Sequence, residues 1–163
     1  MRNIILIGMM GCGKTSVGRE LAGRLGRRFV DTDAYIEQAL GRAVPDIFAR
    51  EGEDFFREQE KIAAEKLAGE QERVIACGGG LPTRDEAIAA LKGSGIVFWL
   101  RREPGKIYDT VSMADRPLGQ GGREAFLERY RRREPIYRRW ADHVIDSPGG
   151  VEETARAILE VLK

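Results

Sequence analysis

Near the start of the chain, Gly8-Met9-Met10-Gly11-Cys12-Gly13-Lys14-Thr15 sets two glycines, a lysine and a hydroxyl in the spacing G-x-x-x-x-G-K-[ST]. Glycines let successive backbone N–H groups turn inward around an anion, and a helix opening at Lys14 adds its dipole. The apolar run Ile4–Ile7 precedes this loop and the amphipathic Val17, Leu21 and Leu25 follow it, which is the setting the pattern requires. The loop at 8–15 is therefore expected to hold a nucleoside triphosphate. Gly11, Cys12, Gly13, Lys14, Thr15 and Ser16 would line the phosphates, with Lys14 at the β/γ-phosphates and the Thr15 hydroxyl on Mg²⁺.

Three further groups could act on a phosphate held there. "FVDTD" puts Asp31 and Asp33 at the carboxyl end of an apolar run, two residues apart, so that in a strand both side chains leave on one face. One carboxylate can serve Mg²⁺ hydration while the other orients a hydroxyl acceptor; either can instead cap the helix that follows. Gly78-Gly79-Gly80 follows another apolar run, and three consecutive glycines suggest close approach of a ligand or backbone. Arg57, Arg116 and Arg133 complete the set, although from local context alone each could equally face solvent among acidic neighbours.

The elements that must position these residues alternate in type. Apolar runs at Ile4–Ile7, Phe29–Val30, Val74–Cys77, Ile96–Leu100 and Val144–Ile145 read as buried strands. Helical periodicity occupies 14–25, 34–40, 53–68, 84–92, 123–134 and 151–162, the helix at 123–134 being expected to break before Pro135. Such alternation predicts a parallel sheet covered on both faces, with ligands at the carboxyl ends of its strands. The stretch 41–56, interrupted by Gly41, Pro45 and Gly52, is expected to fold as short helices over one sheet edge. "SMADRPLGQGG" has the composition of a lid.

Composition narrows the function. The 163 residues suit one domain, and a net charge of +1 argues against a nucleic-acid partner despite the arginines at 129–139. No apolar run is long enough to span a bilayer, which with the absence of a cleavable leader pattern points to a cytoplasmic protein. Cys12 and Cys77 lack metal-ligand or disulfide spacing, and the single His143 is expected to be structural. No guanine-reading Asn-Lys-x-Asp motif is present, "DSPG" at 146–149 lies too late for a switch, and "RVIAC" does not end in a carboxylate. These features favour a small-molecule or nucleotide kinase over a GTPase or motor.

Taken together, "GMMGCGKTSVGRELA", "DTDAYIE", "IFAREGEDFFREQE", "CGGGLP", "DRPLG" and "REPIYRRWAD" resemble, in order and spacing, the shikimate kinases. The resemblance covers essentially the whole chain. It implies a three-layer α/β/α P-loop kinase fold, with a five-stranded parallel sheet in order 2-3-1-4-5. It further implies one domain over 1–163, with an acceptor-binding segment at about 33–60 and a lid at about 112–123. The implied reaction is transfer of the ATP γ-phosphoryl group to the 3-hydroxyl of shikimate, on the route to chorismate and the aromatic amino acids. By the same resemblance Asp33 holds the shikimate hydroxyls and acts as base, Arg57 and Arg133 grip the carboxylate, and Gly78, Gly79 and Gly80 line the pocket. Arg116 closes over the phosphates, and Asp31 assists Mg²⁺. Lys14, Asp33 and Arg116 would be catalytic, and a monomer is the default expectation. The chain departs from the family pattern in "LPTRDEA" after the glycines and at Asp109, near where members often place an arginine close to adenine. A gluconate or nucleoside-monophosphate kinase, and a silent nucleotide-binding protein, are the competing readings.

Overall fold

The computed structural model describes residues 2–110, 121–147 and 150–163. Most of the expected lid, including Arg116, lies outside the described residues, as do Pro148 and Gly149 of "DSPGG".

Five strands form one parallel sheet in order β2-β3-β1-β4-β5. They are β1 Asn3–Ile7, β2 Arg28–Asp31, β3 Arg73–Ala76, β4 Gly95–Arg101 and β5 His143–Asp146. Strand β1 is central: Ile5 is in register with Ile75 of β3 and with Val97 of β4. All five β1 residues are buried, as the unbroken apolar run requires of a strand covered on both faces. Each buried isoleucine or leucine there contributes about 1.5–3 kcal/mol. The one polar member, Asn3, is satisfied at the opposite end of the sheet from the loops of interest. Its amide donates to Glu70 O and Ser94 Oγ, and its carbonyl accepts from Arg73 N.

Two groups of helices flank the sheet. Helix α1 (Lys14–Leu25) packs with α8 (Val151–Leu162), and α4 (Glu53–Ala68) packs with α5 (Asp85–Ser94), which meets α7 (Gly122–Trp140). Helices α2 (Thr32–Leu40), α3 (Val44–Glu51) and α4 enclose a smaller core of Ile36, Ile47, Phe56 and Ala63. Gly52, at φ 86°, makes the break between α3 and α4. The expected short-helix excursion at 41–56 thus takes the form of α3 and the start of α4.

Three local differences from the sequence reading have physical causes. Helix α7 does not stop before Pro135 but runs through it to Trp140. Proline forgoes only one backbone donor, while Phe126, Arg133 and Tyr137 on both sides of it are buried against the body. Helix α2 begins at Thr32, so Asp33 sits in its first turn instead of extending a strand. A short helix that periodicity missed, α6 (Pro104–Thr110), is capped by Glu103, whose carboxylate accepts from Gly105 N and Lys106 N. His143 is exposed and stacks on Phe98, a structural role. Among the described residues no helix is long and apolar enough to cross a membrane.

Candidate functional site

The loops after β1, β2 and β3 meet at the carboxyl edge of the sheet. After β1, Gly11 (φ 82°) and Gly13 (φ 98°) take left-handed conformations that side chains rarely adopt, which lets the chain curl before α1. Lys14 is buried beneath this curl, its Nζ donating to Gly8 O at 2.7 Å and Met9 O at 2.8 Å. The ammonium can exchange these carbonyls for phosphate oxygens with a small movement. Gly11, Gly13, Lys14, Thr15 and Ser16 border one cavity of about 280 Å³. Cys12 turns away: its sulfur is buried 3.7 Å from Lys14 Nζ, and its own N–H donates to Met9 O.

Asp31 divides its two oxygens between two tasks. Oδ1 caps α2 by accepting from Asp33 N (2.9 Å) and Ala34 N (3.2 Å), and Oδ2 accepts the Thr15 hydroxyl at 2.9 Å. The cap is what turns Asp33 into the helix, so the two carboxylates converge through a helix start and not through strand alternation. Thr15 Oγ1 and Asp31 Oδ2 form a small, hard, oxygen-only donor pair facing the phosphate cavity, a set that fits Mg²⁺ shared with phosphates. Among the described residues no cluster of three or more His, Cys, Asp or Glu side chains could hold a metal by itself.

Asp33 borders the same cavity. Burial, reinforced by the negative charge of Asp31, pushes its carboxyl from 3.8 to about 6, against the pull of Lys14 and Arg57. A carboxylate so poised can accept a proton from a hydroxyl near neutral pH.

The three glycines after β3 provide room. None of them has a positive φ. A Cβ on Gly78 would lie 2.6 Å from Asp33 Oδ1 and 3.0 Å from Glu60 Oε2, and one on Gly79 would lie 3.3 Å from Arg133 Nη1. A Cβ on Gly80 would overlap the Arg57 guanidinium. Four charged side chains therefore converge on this loop, and a side chain at Gly78 or Gly80 would have to displace them.

Each of these side chains is held. Arg57 donates to Glu60 at 2.6 Å and to Glu53 at 2.9 Å, and stacks beside Phe48 and Phe56. Glu60 is fully buried; burial pushes its carboxyl upward while Arg57 opposes that shift. Glu60 Oε2 and Arg133 Nη1 are buried without a hydrogen-bond partner in the structure, and both face the glycine loop. Buried polar atoms of this kind fit a ligand that carries its own donors and acceptors. The loop itself is anchored twice: Gly78 N donates to Thr32 Oγ1 at 2.8 Å, and Tyr137 Oη donates to Gly79 O at 2.6 Å while touching Met9 Sδ at 3.5 Å.

Of the residues expected from sequence, Lys14, Thr15, Asp31, Asp33, Arg57, Arg133 and the three glycines are brought together here. Arg116 lies outside the described residues. Asp109 pairs with Arg123 at 3.3 Å. Sequence reasoning passed over Glu60, Thr32 and Tyr137. Glu60 stands three residues after Arg57, a helical spacing that signals an ion pair. Tyr137 stands one turn after Arg133, but its partner, Gly79, is separated from it by 58 residues.

The shikimate kinase family model matches residues 10–163. A shikimate kinase from Pelotomaculum thermopropionicum is 41% identical over all of this chain and 96% of its own. Among solved structures, a shikimate kinase from Acinetobacter baumannii in complex with shikimate superposes with a TM-score of 0.93 at 36% identity, covering 99% of this chain and 93% of that one. A gluconokinase from Sinorhizobium meliloti superposes with a TM-score of 0.61 at 18% identity, covering 99% and 91%, a likeness of fold alone.

Proposed function

The chain belongs to the shikimate kinase family, and we propose that its own residues divide the labour of that reaction as follows. The reaction is ATP-dependent phosphorylation of shikimate, at its 3-hydroxyl, giving shikimate 3-phosphate and ADP in aromatic amino-acid biosynthesis. The observation that carries the assignment is the convergence of Arg57, Arg133 and Asp33 on the glycine loop, across a shared cavity from Lys14 and Thr15.

Shikimate offers a carboxylate at one end and hydroxyls at the other. Arg57, fixed by Glu53 and Glu60, and Arg133, with a free buried Nη1, take the carboxylate in charge-assisted bonds. Asp33 takes the hydroxyl end and removes the proton of the attacking oxygen. Gly78, Gly79 and Gly80 let the ring approach the backbone. Gly11, Gly13, Lys14, Thr15 and Ser16 hold the triphosphate, with Lys14 on the transferring group, and Cys12 contributes packing beneath the loop. Mg²⁺, when bound by Thr15 and, through water, by Asp31, offsets charge on the phosphates. Arg116 closes from the lid at about 112–123, adds positive charge at the transfer step and excludes water.

One domain over 1–163 supplies every group named, so a monomer suffices. The free, buried Cys12 and Cys77 suit the reducing cytoplasm.

The test is ADP release from Mg-ATP with shikimate, gluconate, AMP or CMP offered separately. Turnover with shikimate alone is expected. Equal or faster turnover with gluconate would overturn the pocket assignment and leave the ATP site standing. No turnover with any acceptor, despite ATP binding, would favour a silent binder.

A further inference from the structure

The hydroxyl of Tyr137 meets three walls of the site at one point. It donates to Gly79 O at 2.6 Å, lies 3.5 Å from Met9 Sδ, and stands one turn after Arg133 on the same unbroken helix. Burial holds the phenol far above its ordinary range against the pull of Arg133, so the hydroxyl keeps its proton at working pH and remains a donor. The ring has little freedom to follow a moving partner. Tyr137 is fully buried and packs against Trp99 with 5.8 Å between ring centroids.

The walls joined here belong to different substrates. Met9 is part of the phosphate loop, where its carbonyl and that of Gly8 accept from Lys14 Nζ. Gly79 and Arg133 belong to the acceptor pocket. Gly79 lies directly against the phosphate loop: a Cβ there would be 3.3 Å from Met10 N, 3.5 Å from Gly8 O and 3.3 Å from Arg133 Nη1. One of the two carbonyls under Lys14 is therefore a close neighbour of the glycine loop.

A triphosphate that draws Lys14 onto itself takes the charged donor away from both carbonyls. The Gly8–Met9 backbone thus has one set of partners before nucleotide binds and another afterwards. An element of that kind biases a second site only where the two are physically tied. Gly79 rests on one end of it, and the Tyr137 hydroxyl makes Met9, Gly79 and Arg133 settle together. A first ligand that fixes these walls removes that cost for the second, so the coupling is positive.

We propose that Tyr137 is a positioning residue whose hydroxyl couples the two substrate sites: nucleotide in the phosphate loop tightens the hold on the acceptor, and the acceptor tightens the hold on nucleotide by the same factor. The proposal rests on the shikimate kinase reading. Tyr137 touches neither substrate in it and acts through groups that do.

The experiment measures shikimate affinity by calorimetry on the full chain, with and without saturating Mg²⁺ and the β,γ-imido analogue of ATP, which does not transfer its phosphoryl group. In wild type the analogue is expected to tighten shikimate binding about tenfold, and shikimate to tighten binding of the analogue equally. In Tyr137→Phe both factors should fall to about twofold or less. Met9→Leu conserves volume, cuts the same link from the phosphate loop, and should lower both factors at least about threefold. It keeps the test decisive if the phenylalanine variant does not fold.

A purely structural role for the hydroxyl would weaken each ligand alone and leave the factors unchanged, and that result overturns the proposal. So does a factor of about one in wild type, or full coupling in either variant. Wild-type turnover of shikimate with Mg-ATP is the control. If it is absent, the functional reading fails and takes this proposal with it; if it is present, the coupling factors judge Tyr137 alone.

Discussion

Replacing Asp33 by asparagine separates what this carboxylate does for catalysis from what it costs the fold. Asp33 is held at about 6 against an ordinary value of 3.8, chiefly by burial and then by the charge of Asp31. A displacement of about two pH units corresponds to about 3 kcal/mol favouring the neutral form. Between pH 4 and 6 the unfolded chain gives up this proton before the folded one does. Stability is therefore lost as pH rises through that window and stays lost above it. Asparagine has no proton to lose and escapes the penalty. The variant should be more stable than wild type by up to about 3 kcal/mol at pH 8, roughly 6–12 °C in Tm for a chain of this size. At pH 5 the gain should be about half as large, because wild-type Asp33 is then mostly neutral in the folded state. Paired thermal melts of the ligand-free proteins at the two pH values measure this directly. In the same variant kcat should fall about 10²-fold or more, and wild-type kcat/KM for shikimate should climb with unit slope below pH 6 and level above it. An Asp33→Asn variant that melts no higher than wild type at pH 8, or gains equally at both pH values, would refute the idea that burial holds this carboxyl high.

Four other substitutions probe the neighbouring groups. Gly80→Ala drives a methyl into the Arg57 guanidinium and away from its 2.6 Å pair with Glu60, so KM for shikimate should rise at least about tenfold in steady-state assays, with a smaller change in kcat. Tyr137→Phe leaves Gly79 O without its donor; a Tm loss reflecting about 1–3 kcal/mol should accompany a lower kcat, because the glycine loop is no longer tied to the helix that carries Arg133. Thr15→Val removes the hydroxyl donated to Asp31, and the Mg²⁺ concentration for half-maximal activity should rise about tenfold or more in a metal titration. Arg116→Ala should lower kcat about a hundredfold while leaving shikimate affinity, read by calorimetry, nearly intact.

Much of the site was legible because its logic is local. The anion cradle needs closely spaced glycines, a lysine and a helix start within a few residues, and all of these are adjacent in the chain. The parallel sheet was legible as a type, since strands buried on both faces must be apolar throughout; the strand order came from family resemblance, since periodicity says nothing about which strand lies beside which. Asp33 reaches the cavity by a route that strand alternation does not describe: Asp31 caps α2, and that cap sets the second carboxylate. The break expected at Pro135 failed because tertiary burial of Phe126, Arg133 and Tyr137 outweighed one missing donor. Tyr137 itself stayed invisible because its partner is a backbone carbonyl brought in from a different strand loop.

The two thiols give the enzyme a built-in clock for its own opening. Cys77 follows β3 with its N–H on Leu6 O, fully enclosed, and burial drives its thiol far above the ordinary range. Cys12 is sealed under the curled loop beside Lys14. Both sulfurs are buried, so labelling counts excursions: loosening of the loop after β1 for Cys12, and of the loop after β3, where Cys77 borders the cavity of Lys14 and Thr15, for Cys77. Saturation with Mg-ATP should slow both reactions, because both cysteines lie beside the cavity that Lys14 and Thr15 border.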